Sequence, residues 1–138
     1  MTRKAALRRS GRRGSTFVEF ALFFIVFLTL IVQIIELGRV VWTYTTLAHA
    51  VREGARYARL NGSDSPATDE QIVSVIEKAA VGLPDEALQV QIEWLPDRSR
   101  GSQVRITGNT EVALIGSSLA LDQSKIPLET SSTGVVER

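Results

Sequence analysis

Cysteine is missing altogether, and histidine occurs once, at position 49. The first absence excludes disulfides, thiol nucleophiles and cysteine-zinc sites, and it removes redox as a guide to compartment. The second removes most other metal and general-base chemistry, because His49 has no carboxylates at ligand spacing beside it and reads as a solvated or packed side chain. The 10 glycines form no phosphate-cradling loop after a strand. The adjacent acids Asp69 with Glu70 and Asp85 with Glu86 sit at element ends, where helix electrostatics and solvation explain them better than acid-base work. No internal repeat is visible, and a chain of 138 residues leaves room for one small domain, which argues against a large enzyme.

Acid is also absent from residues 1–14, which carry Arg3, Lys4, Arg8, Arg9, Arg12 and Arg13. The overall charge of +1 hides this head, since residues 15–138 hold 10 bases against 15 acids, a net of −5. Such a head attracts nucleic acid or anionic lipid, or holds an N-terminus on the cytoplasmic side of a membrane. The last reading is favoured because the basic run abuts a long apolar one. Residues 1–14 are too charged to join a core and are expected to be a leader.

The apolar run next to this head is the feature that organises the chain. Phe17 to Ile35 is 19 residues of almost unbroken apolar sequence. As a helix it covers about 28 Å, close to the ~30 Å hydrocarbon core of a bilayer. Inside it stands Glu19, a carboxylate that costs on the order of a few kcal/mol there unless it snorkels, is protonated or finds a cation. Gln33 and Glu36 mark the far edge. An ordinary secretory signal is the rival, with Ala48-His49-Ala50 as its cleavage site. The apolar run is too long for that, however, and the site lies too far beyond it.

Beyond Ile35 the helix is expected to continue, because Leu37, Val41, Tyr44, Ala48, Val51, Ala55 and Ala58 recur at alternating spacings of four and three. Asn61-Gly62 supplies its stop. Thr46, Ala50, Gly54 and Ala58 form a ridge of small side chains, against which either the chain's own sheet or a neighbouring subunit packs. Arg52, Arg56 and Arg59 make a basic face, read as solvated and partly offset by Glu53.

After a polar linker at Ser63 to Ala67, Thr68 and Gln71 form a capping box opening a second helix from about Asp69 to Val81. Ile72, Val73, Ile76, Ala79 and Ala80 share its apolar face, and Gly82 with Pro84 close it. Leu88, Val90, Ile92 and Trp94 alternate with polar residues as a half-buried strand. Pro96 to Gly101 has hairpin-loop composition, and Val104 and Ile106 alternate on the return strand. Two strands alone are marginal, so a third is expected over Ile126 to Val136. Val112 to Ile115 is apolar, and Gly116 to Ser124 is read as a loop with one helical turn. The fold class is α+β: a long N-terminal helix, one further helix and an antiparallel sheet of about three strands. The boundaries are 1–14 for the leader, 15–61 for the helix with its span at about 17–35, and 62–138 for the small domain.

The order of basic leader, Gly14, four residues, Glu19 and then an apolar helix resembles the class III signal of type IV pilins and pseudopilins. The Glu19-Phe20 pair is similar to the form in TadE-like pseudopilins of tight-adherence (Flp) pili. Arg52-Glu53-Gly54-Ala55-Arg56-Tyr57-Ala58 resembles the segment that ends the long helix in TadE-like proteins. The resemblance is specific over about residues 11–60 and loose beyond.

It implies cleavage by a prepilin peptidase between Gly14 and Ser15 and a subunit contact through Glu19 and Phe20. Ala50, Gly54 and Ala58 are the expected helix-packing positions. The implied setting is the bacterial inner membrane, with a cytoplasmic N-terminus and a periplasmic domain that enters or primes a pilus. The partners implied are other pilins and pseudopilins, the pilus assembly platform and the lipid bilayer. Nucleic acid, cofactors, metal and catalysis are not expected. The extra domain beyond the helix favours a minor subunit. The rivals are an unprocessed single-span protein with a sensing or ligand-binding domain and, with little support, a membrane-bound hydrolase lacking any displayed nucleophile and base.

Overall fold

The computed structural model describes residues 11–61, 67–83, 87–99, 101–114 and 125–136, with side chains from Gly14 onward. Residues 1–10, 62–66, 84–86, 100, 115–124 and 137–138 lie outside the described residues, and so do the readings made for them. The element order is α1 (Gly11–Leu60), α2 (Asp69–Ala79), β1 (Gln89–Leu95), β2 (Gln103–Ala113) and β3 (Lys125–Val135), an α+β arrangement with one three-stranded antiparallel sheet. The chain divides into two compact units, Met1–Ile35 and Glu36–Arg138.

The first unit is helical from Gly11. The apolar run predicts a start near Phe17, and the chain is already helical at Gly11, within the basic head. Arginine is a good helix former, and the glycine at 14 costs only about 1 kcal/mol against propagation from a long stable helix. Among its described side chains, those from Ser15 to Ile35 are exposed except for half-buried Ala21. The rings of Phe20 and Phe24, one turn apart, stack with centroids 5.9 Å apart. The Thr29 hydroxyl donates to the Ile25 carbonyl at 2.9 Å, satisfying its polar atom within the helix.

The second unit is built around the later part of α1. Leu47, Ala50, Val51, Ala55 and Ala58 are buried, and they join Ile72 and Ile76 of α2 and Val104 and Ile106 of β2 in one core. The Asn61 backbone N–H and its side-chain Nδ2 both donate to the Tyr57 carbonyl, at 3.2 and 3.0 Å.

The capping box of α2 forms as its sequence requires. The Thr68 hydroxyl accepts from the Gln71 N–H at 3.3 Å, and the Gln71 side chain accepts from the Thr68 N–H at 3.2 Å. The helix stops at Ala79, two residues before the expected Val81, because Ala80 leaves helical dihedrals and Gly82 takes φ +83° to turn the chain. Ile72, Ile76 and Ala80 are buried, with Val73 and Ala79 half-buried.

The sheet runs β1-β2-β3, with Ile92 opposite Ile106 and Val104 opposite Gly134. Even-numbered residues of β2 face the core and odd-numbered ones face outward. This strand reaches Ala113, well past the alternation legible at Val104 to Thr107. Gly108 breaks the pattern by having no side chain, yet it occupies an inward position. A Cβ there would stand 2.6 Å from Val51 Cγ2 and 3.2 Å from Leu47 Cδ1, so the bare backbone is what lets α1 lie close to the central strand. Val136 falls just outside β3 and is buried, with its N–H donating to the Ser102 carbonyl at 2.9 Å.

Candidate assembly segment

The residues singled out in the sequence fall in two places. Gly14, Ser15, Glu19 and Phe20 lie on the exposed part of α1 in the first unit. Helix rise separates Ser15 from Glu19 by about 6 Å, so the two sit one turn apart on neighbouring faces. Among the described residues, no hydrogen bond or ion pair engages the Glu19 carboxylate. Phe20 is 61% exposed, its ring backed by Phe24. Chemically this is one acid at the head of a bare apolar helix surface.

An 18-residue window of α1 is apolar enough to cross a membrane, and none of it is buried inside the protein. A soluble core helix would be mostly covered. This one is compatible with single-pass anchoring in a bilayer.

Residues 14–56 match the family model described as TadE-like protein. That stretch of the chain is similar to TadE-like proteins. No curated protein and no solved structure matches the chain. The TadE-like stretch contains Gly14, Ser15, Glu19, Phe20, Ala50 and Gly54, and Ala58 lies two residues past its end.

The later candidates are placed in the core of the second unit. Ala50 and Ala58 have no exposed surface, and Gly54 is buried. A Cβ on Gly54 would meet Ile76 Cγ1 at 2.4 Å and Cδ1 at 2.7 Å, with Ile106 Cδ1 at 3.7 Å. The small ridge is therefore covered by the chain's own α2 and sheet. His49, Arg52 and Arg56 are exposed, and Arg56 lies 3.7 Å from Glu53 in a solvated pair. Among the described residues, no group of three potential metal ligands comes together.

Two polar clusters went unrecognised in the sequence. Arg98 Nη2 lies 2.8 Å from both carboxylate oxygens of Asp69, Nη1 donates to the Ala67 carbonyl at 3.4 Å, and the guanidinium lies 5.0 Å from the Trp94 ring centroid. The Trp94 Nε1–H donates to the same Asp69 at 3.3 Å. This clamp holds the β1–β2 hairpin against the start of α2. In the hairpin itself, Asp97 accepts from the Ser99 hydroxyl, from the Ser102 hydroxyl at 2.7 Å and from the Ser99 N–H at 2.9 Å. These bonds, the Ser99 hydroxyl first, hold the Asp97 carboxyl at about 2, below its ordinary 3.8. The only advance signal was the turn composition of Pro96 to Gly101.

Proposed function

We propose that this protein is a minor pseudopilin acting in assembly of a tight-adherence (Flp) pilus, made as a single-span precursor in the bacterial inner membrane. The observation that carries the reading is the TadE-like match, which points to pilus-related function and begins at Gly14, the proposed cleavage point. In this reading residues 1–14 are a cytoplasmic leader removed by a prepilin peptidase. The helix from Ser15 enters or primes the filament, and the α+β part faces the periplasm.

The electrostatics supply a role for Glu19. Cleavage after Gly14 creates an α-amine on Ser15, near the membrane surface. A carboxylate and an ammonium attract far more strongly in low dielectric than in water, and each alone is costly there. Glu19 of one subunit therefore draws in the amine of the next and sets the register between their helices. Phe20 and the apolar side chains beyond it supply the non-directional part of that contact. The Gly14-Ser15 peptide lies within α1, so the peptidase must work on a frayed first turn. Glycine, the residue that favours a helix least after proline, is well placed for that.

The decisive measurement is the mature N-terminus. Intact mass or N-terminal sequencing of membrane-extracted protein is expected to start at Ser15. A chain still beginning at Met1 in cells with an active prepilin peptidase refutes the pilin reading and leaves an unprocessed single-span protein.

A further inference from the structure

The second unit carries large apolar side chains outside its core. On α1, Leu37, Val41, Trp42 and Tyr44 are 64, 53, 52 and 46% exposed, and Val81 in the turn after α2 is 71% exposed. Trp42 and Val81 belong to one patch. They line the same open pocket as His49 and Ala79, and a Cβ on Gly82 would come 2.6 Å from the outer edge of the Trp42 ring. The exit turn of α2 is thus braced against an indole that is itself half open to the surroundings. Contiguous apolar surface of this kind marks an interaction face.

Three features identify its occupant. The first is continuity. Leu37 comes two residues after the end of the apolar run at Ile35, on the same uninterrupted helix, and Trp42 comes seven residues after it. Seven residues advance a helix by about 10 Å, and the polar layer outside the hydrocarbon core is about 5–8 Å deep on each side. A helical side chain also leans back toward the N-terminus, which returns the indole to headgroup depth, where tryptophan and tyrosine accumulate in membrane proteins.

The second is the distribution around the helix. Leu37, Val41 and Tyr44 share one side, whereas Trp42 stands about 100° from Val41. A single protein partner needs one stripe, but lipid surrounds the helix. The third is charge. Arg39, three residues before Trp42, and Lys78, three before Val81, are both exposed, placed to meet lipid phosphates while the apolar side chains sink below them.

We propose that Trp42 and Val81 form a second, peripheral membrane contact, seating the end of α2 in the headgroup layer of a phospholipid bilayer. This rests on the reading of Phe17 to Ile35 as a bilayer span, and the experiment separates the two. The full chain carrying Trp94→Phe, which leaves Trp42 as its one tryptophan, is reconstituted in phosphatidylethanolamine and phosphatidylglycerol vesicles. Matched vesicles contain lipids brominated near the headgroup end of the acyl chain. A control chain with Trp42→Phe, Trp94→Phe and Phe24→Trp reports the span.

Trp42 emission is expected to be blue-shifted and quenched by the brominated lipid, and a chain with Val81→Trp, Trp42→Phe and Trp94→Phe is expected to be quenched likewise while the span control stays quenched. A quenched Trp42 beside an unquenched Val81→Trp chain overturns the seating of α2. A quenched span control with an unquenched, red-emitting Trp42 overturns the docking contact and leaves the span intact. A blue-shifted Trp42 that bromine does not reach also overturns it, in favour of a protein partner covering the patch. Loss of quenching in both chains overturns the span and the contact together.

Discussion

Gly54 offers the sharpest test of how the second unit is packed. A Cβ at this position would stand 2.4 Å from Ile76 Cγ1, where ordinary contact begins near 3.4 Å, so Ile76 must retreat by about 1 Å. Ile76 is fully buried and its β-branched side chain is stiff, so the displacement passes into the backbone of α2 or into Ile106. Overpacking of this kind costs about 1–3 kcal/mol, and replacing glycine by alanine inside a helix returns about 1 kcal/mol. Gly54→Ala is therefore expected to destabilise by about 0–2 kcal/mol. Gly54→Leu, with no comparable room, should lose about 3 kcal/mol or more, a large share of the ~5–15 kcal/mol that holds a domain.

The assay is denaturant unfolding of the full chain in detergent, monitored by Trp94 emission in a Trp42→Phe background. Trp94 lies on β1 and reports the second unit rather than the span. The diagnostic variant is Gly54→Ala combined with Ile76→Ala, which removes both Cγ1 and Cδ1. The pair should be more stable than the sum of the single changes by about 0.5–1.5 kcal/mol, since directly contacting residues couple on that scale. Strict additivity, or a Gly54→Leu chain as stable as the parent, refutes the close approach of α1 to α2.

The clamp on the hairpin gives a smaller effect. Arg98→Ala should cost about 0.5–1.5 kcal/mol in the same assay, kept modest because both partners of the bridge are more than a third exposed. Arg98→Lys should recover little of it, having no fork and no flat face for Trp94. Asp97 sets a pH dependence. Its folded-state value of about 2 lies below the ordinary 3.8, so the folded chain binds the proton more weakly. The contribution is complete above the ordinary value and is lost as pH falls from about 4 through about 2. Unfolding midpoints measured across that window should decline less steeply in Asp97→Asn, and an unchanged slope would count against the hairpin geometry. Glu19→Ala should leave insertion and processing intact but reduce piliation, seen by electron microscopy, whereas Gly14→Leu should block processing on a gel. Normal piliation in Glu19→Ala would reduce Glu19 to a side chain that snorkels.

Local chemistry made much of this fold legible. The capping box at Thr68 and Gln71, the alternation from Val90 to Trp94 and the turn residues after Pro96 each act within a few positions, so sequence spacing reports them directly. Contacts that depend on tertiary approach were not legible. The alternation legible in the return strand does not extend to Gly108, because a missing side chain carries no periodicity, although that missing side chain is what the packing against Val51 requires. Arg98 and Asp69 are 29 positions apart and meet only once the hairpin lies across α2. The ridge of Ala50, Gly54 and Ala58 carried two readings of identical pattern, and the sequence holds nothing that says whether a small side chain faces its own chain or another. In the first unit, Glu19 stood out because a lone charge in an apolar run is improbable on energetic grounds alone. Its exposed position on α1 leaves that anomaly in place, open to a partner from another chain.

The shared use of α1 has a consequence for truncation. Residues of the apolar run and residues that complete the core of the second unit both belong to α1. A chain truncated to begin after Asn61 would not be an intact version of the second unit. It would lack Leu47, Val51, Ala55 and Ala58 and would present a sheet with its inner face bare.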